Sequence, residues 1–122
     1  MESDGSTRPQ SVYAIFESCL GCKWTLHVLD QLRAGVNRPG ALERTAEGLS
    51  TKVLNERLRK ICGLGLAERQ AFPEVPPRVE YHLTPFGQEV ALLLDRMQTL
   101  QARFEAGQAA GFSAGGPELE AR

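Results

Sequence analysis

Three of the five amides in Pro73-Glu74-Val75-Pro76-Pro77 have no hydrogen to donate, because the proline ring occupies the nitrogen. No helix and no central strand can pass through such a segment. The runs on either side, Leu66 to Phe72 and Arg78 to Leu83, have a different character. In the second, Val79, Tyr81 and Leu83 alternate with Glu80 and His82, the period-two pattern of a half-buried strand. Two strands and a stiff loop predict a β-hairpin with a proline-rich tip.

The rest of the pattern is helical. Val12 to Cys19 supplies a short apolar helix ending near Gly21. From Lys23 to Arg33, Trp24, Val28 and Leu32 recur at i, i+4 and i+8, with a stop at Gly35. Asn37-Arg38-Pro39 predicts a third, short helix that ends before Gly48, since proline is tolerated in a first turn. Ser50 is an N-cap for a fourth helix to about Cys62, with Leu54, Leu58 and Ile61 as its apolar stripe. Thr84-Pro85 opens a last helix that runs to Phe104.

At 122 residues the chain is one domain. It spans 11–105, between a polar flexible tail at 1–10 and a glycine-rich disordered tail at 106–122. No apolar run approaches the ~20 residues of a membrane helix, and the first residues lack a signal-peptide pattern. Three cysteines, an odd number, fit a reducing cytoplasm better than a disulfide framework.

Two helices across a glycine-containing turn, followed at once by a hairpin, form the order of a winged helix-turn-helix: mainly α, with a small β-hairpin. In such a motif the second helix enters the major groove. At 100° per residue, Lys52, Asn55, Glu56 and Arg59 fall on one side of the fourth helix, opposite the apolar stripe. Lysine, asparagine and arginine there can meet phosphates or purine edges. Ser50, Thr51 and the free amides of the helix start can bond phosphate.

The overall charge is −1, but its distribution is uneven. Arg33 to Lys60 holds seven bases and three acids, a local +4, while the remaining seven bases and twelve acids amount to −5. A basic segment in an acidic chain suits a phosphate-facing surface. A solvated helix face of mixed charge is the alternative.

The chain resembles the HxlR-like winged-helix regulators of bacteria, relatives of the MarR group, over about Val12 to Phe104. Gly21-Cys22-Lys23-Trp24-Thr25, Arg38-Pro39-Gly40-Ala41-Leu42 and Gly48-Leu49-Ser50 carry the match. So do Gly65-Leu66, the block Pro73 to Tyr81, and Leu83-Thr84-Pro85 with Gly87. The resemblance implies a homodimeric transcriptional regulator that binds double-stranded operator DNA. The fourth helix would serve for recognition and the hairpin as wing, with Arg38, Ser50, Thr51, Lys52, Asn55, Arg59 and Arg78 toward DNA. The chain departs from the family at Cys22, where a second glycine is usual, and at Cys62, where an acidic or polar residue is usual. Ser11 stands where many members keep a reactive cysteine. A winged-helix module for protein interaction, with DNA binding weak or lost, is the alternative function.

Phe86, Val90, Leu93, Met97, Leu100 and Phe104 are spaced 4, 3, 4, 3, 4, a seam at the heptad period. Part of this stripe can cover the domain's own core, but its length points to a homodimer through the last helix, at 85–104. Cys19 and Cys22 form a C-x-x-C with no preceding strand, which argues against a thioredoxin-like role. The pair stays open to a redox role, with Lys23 beside Cys22 favouring its thiolate. Inert packing is the alternative for Cys19. Metal ligands at finger-like spacing, a nucleophile–base motif and a phosphate loop are all missing from the sequence, so neither a cofactor nor an enzymatic activity is expected.

Overall fold

The computed structural model describes residues 11–107. Five helices and one hairpin follow in order: α1 (Val12–Leu20), α2 (Lys23–Arg33), α3 (Pro39–Glu43), α4 (Thr51–Gly63), β1 (Ala67–Phe72), β2 (Arg78–Leu83) and α5 (Pro85–Glu105). The tails expected at 1–10 and 106–122 lie outside the described residues, except for Ala106 and Gly107, the turn that closes α5.

The helix starts are chemically specified. Ser11, Ser50 and Thr84 each accept the backbone N–H of the residue three positions on, at 3.1, 3.1 and 2.9 Å. Each bond satisfies one of the amides that a helix start leaves unpaired. Pro39 and Pro85 occupy first-turn positions, where a missing N–H costs nothing. Gly35, Gly48 and Gly65 have φ of 98, 91 and 81°, a left-handed conformation open to residues without a Cβ. They turn the chain after α2, before α4 and into β1.

The strands pair antiparallel from Ala67↔Leu83 to Phe72↔Arg78. Leu29 and Leu32 of α2, Leu42 of α3, Leu54, Leu58 and Ile61 of α4, and Val90 and Leu94 of α5 form one core with Leu66. His27 donates from Nε2 to Thr45 Oγ1 at 2.8 Å, and the Thr45 hydroxyl donates to the Leu42 carbonyl at 2.6 Å. That chain of bonds joins α2 to the end of α3.

Two expectations need correction. Val90, placed in the heptad seam, is 2% exposed within a single chain and belongs to the core. The α5 stripe that faces inward is Gly87, Val90, Ala91 and Leu94, one step around the helix from the seam. Glu80, expected on the solvent side of β2, is drawn in, its side chain only 14% exposed. Arg78 Nη1 at 2.6 Å, His82 Nε2 at 2.9 Å and Arg38 Nε at 3.8 Å surround its carboxylate.

Candidate nucleic-acid interface

The back of α4 is fixed by Leu54, Leu58 and Ile61, all essentially unexposed. With 3.6 residues per turn this leaves Lys52, Asn55, Glu56 and Arg59 on the exposed front. Ser50 is exposed at the cap, and its hydroxyl hydrogen stays available after Oγ accepts from Val53. Thr51 uses its hydroxyl otherwise, donating to Glu43 Oε2 at 3.0 Å and tying α4 to α3.

The seven bases of the charged segment separate in space. Lys52, Arg59, Arg38 and Arg44 are exposed. Arg33 pairs with Asp95 of α5 at 3.7 Å. Lys60 points back and donates to the Ser18 carbonyl of α1 at 2.7 Å. Arg57 is half-buried, its Nε without a hydrogen-bond partner. Fewer cations therefore face solvent than the count along the chain suggests.

At the hairpin, the Arg78 guanidinium stacks 3.7 Å above the Phe72 ring. It is gripped by Glu74 at 2.7 Å and by Glu80 at 2.6 Å. The Glu74 hydrogen bond, more than any other contact, holds Arg78 in its charged form. The bond from His82 is the largest influence on Glu80 and, with Arg78 and Arg38, holds its carboxyl below the usual range. Arg38 and Arg78 thus converge on one carboxylate, beside a cleft of about 500 Å³ that includes Val75, Pro76 and Pro77 of the tip. As positive charges toward an anion, both are partly compensated.

A second cleft, about 340 Å³, lies between α4 and the hairpin and is lined by Asn55, Arg59, Cys62, Arg69 and Tyr81. Arg69 was not among the residues picked from the sequence. The antiparallel register sets it opposite Tyr81, facing the side of α4 that carries Asn55 and Arg59. The only signal available was its place two residues into the predicted first strand.

On α5, Phe86, Leu93, Met97, Leu100 and Phe104 are 40, 50, 42, 52 and 62% exposed, an apolar stripe with no cover from its own chain. Leu20 of α1 and Met97 share one shallow cleft. The thiols separate by environment. Cys19 is buried and Cys22 half-buried, with Cys22 N–H donating to the Cys19 carbonyl across the turn between α1 and α2. Burial pushes the Cys19 and Cys62 thiols up. Lys23 does not serve Cys22 as expected, since its ammonium sits 5.2 Å over the Trp24 ring; the cation that acts on Cys22 is Arg57 of α4. Among the described residues no three His, Cys, Asp or Glu side chains gather as a metal site, and no helix is long and apolar enough to cross a membrane.

Residues 19–108 match the family model for the HxlR-like helix-turn-helix. An uncharacterized HTH-type transcriptional regulator of Synechocystis sp., sll1512, is 44% identical over 64% of this chain and 58% of its own length. The Escherichia coli regulator YtfH, equally uncharacterized, is 41% identical over 57% of this chain and 55% of its own. The chain thus spans little more than half the length of these curated relatives. Among solved structures, the reduced form of the transcriptional regulator YodB from Bacillus subtilis superposes with a TM-score of 0.67 at 30% identity, covering 79% of this chain and 93% of YodB. A chain from Enterococcus faecalis assigned to the MarR family of transcriptional regulators gives 0.69 at 33%, covering 89% and 99%.

Proposed function

The chain belongs to the HxlR-like helix-turn-helix family of transcriptional regulators, and from that membership we propose that it binds duplex DNA sequence-specifically as a homodimer in the cytoplasm. The observation that carries the reading is the division of α4. Its back is locked into the core by Leu54, Leu58 and Ile61, and its front offers Lys52, Asn55 and Arg59. A helix so held can lie in a major groove with its start toward phosphate and its middle toward base edges. Arg69 adds a cation on the wing side of the same cleft. The uncovered stripe of α5 supplies a surface for a two-fold partner, and such pairs suit repeated half-sites. A thiol-linked response is part of the reading, because YodB, which shares the fold, is known in reduced and in diamide-treated forms.

One observation favours a second reading, a protein-interaction module. Glu74 and Glu80 compensate the wing arginines, which weakens the field a phosphate would meet. Retention on duplex DNA at two salt concentrations decides between the readings. Binding through phosphate contacts falls steeply as salt rises, and the Lys52→Ala/Arg59→Ala double variant binds more weakly with a slope shallower by about two. Unchanged affinity in that variant, or binding indifferent to salt, overturns the DNA reading.

A further inference from the structure

Cys22 is the N-cap of α2, an eleven-residue helix, and no side chain caps that helix start. Three residues on, Thr25 has no exposed surface and its Oγ1 has no hydrogen-bond partner, although it lies beside the Cys22 sulfur. The spacing is that of a capping box, in which the residue three positions after the cap reaches back to it. Here the cap is a sulfur. A neutral thiol is a weak acceptor, so the buried hydroxyl stays unsatisfied; a thiolate is a strong one. From the other side Arg57 of α4 brings a guanidinium whose Nε is also buried and unpartnered. Lys60, from the same helix, adds a positive charge near Cys19, the second thiol of the pair.

From this convergence of unpaired donors we infer that Cys22 is a site of covalent modification by soft electrophiles of the α,β-unsaturated carbonyl class, quinones included. Burial raises the Cys22 thiol, but the Thr25 hydroxyl and N–H, the Trp24 N–H and the Arg57 charge outweigh it and bring the thiol below its ordinary value. A thiolate is the reactive form, and half-exposure lets a small electrophile reach it. In the step, the sulfur lone pair forms an S–C bond to the β-carbon. The C=C pair moves onto the carbonyl oxygen, which takes a proton from water; a quinone so attacked becomes the substituted hydroquinone. No other oxidant is needed.

The site deepens the proposed thiol response and rests on it for its biological use. Its test involves no DNA, so its failure is separate from failure of DNA binding. The full chain is treated at pH 7 with limiting N-ethylmaleimide or benzoquinone, and the labelled peptides are followed by mass spectrometry. Cys22 labels about tenfold faster than Cys62 or Cys19, and Thr25→Val slows Cys22 about threefold while leaving Cys62 unchanged. The thermal midpoint of Thr25→Val shows that it folds, and Arg57→Gln gives an independent slowing of Cys22. Equal or faster labelling of Cys62 or Cys19 overturns the assignment. So does a Cys22 rate that neither variant changes.

Discussion

Gly87 meets the Leu66 carbonyl with bare backbone: a Cβ built at Gly87 would overlap that carbonyl's carbon and oxygen. The first turn of α5 is thereby seated on the residue that opens the hairpin. Thr84 reinforces the seat, donating from its N–H to the Leu66 carbonyl at 3.0 Å and from its hydroxyl to the Gly65 carbonyl at 2.8 Å. Both contacts involve main chain, which cannot swing aside as a long side chain can.

Gly87→Ala is expected to lower stability by about 3 kcal/mol, the upper end for overpacking, and the thermal midpoint by more than about 10 °C. Gly63, in the last turn of α4, has open space around its Cα. Gly63→Ala is expected to gain up to ~1 kcal/mol from helix propensity. Thermal unfolding of both variants checks the pair, and equal effects would refute the packing argument.

Removing the Glu80 charge should free Arg38 and Arg78 toward phosphate. Glu80→Gln is expected to raise non-specific duplex affinity about tenfold at low salt and to steepen the salt dependence. The carboxyl lies below its usual value in the folded chain, so its contribution to stability is full above the ordinary carboxylate pKa. That contribution is lost as pH falls through the lowered folded value. Acid unfolding of Glu80→Gln should accordingly be less steep than that of the unaltered chain. Identical acid transitions would show that Glu80 is not coupled to folding.

The α5 seam and the α5 core face separate by mutation. Met97→Glu with Leu100→Glu is expected to halve the sedimenting mass of the native protein while leaving the fold intact. Val90→Ala should cost about 2 kcal/mol through lost burial and a cavity and leave the mass unchanged. A reversed outcome would put the interface on the wrong stripe.

At the cleft between α4 and the wing, Asn55→Ala and Arg59→Ala are expected to relax preference at particular base pairs, by about 1–3 kcal/mol where a bidentate contact is lost. Lys52→Ala should instead weaken all sequences alike. Binding to a library of single-base operator variants separates these effects.

Most of the framework was legible because its signals are local. Ser50, Thr84, Pro39 and Pro85 mark helix starts through chemistry that acts within one turn. Positions fixed by partners far along the chain were not legible. Val90 fits the heptad seam and the core face equally well, and only the packing of α5 on the rest of the domain decides between them. Glu80 follows strand alternation until Arg38, more than forty residues earlier, arrives to hold it inward. Arg69 becomes part of the cleft through a register that the hairpin tip sets. The capping relation of Thr25 to Cys22 was countable as a spacing, but its unpaired hydroxyl appears only once α2 is buried.

The Lys60 ammonium on the Ser18 carbonyl works as a tie-rod. Both α1 and α4 pack on α2, and this bond closes the third side of a triangle. A triangle braced on every side cannot shear: it moves as a plate or it breaks a strut. A tilt imposed on α1 from outside therefore swings α4 by a matching angle. The reading head of the molecule inherits its bearing from the helix that lies farthest from it in sequence order among the three.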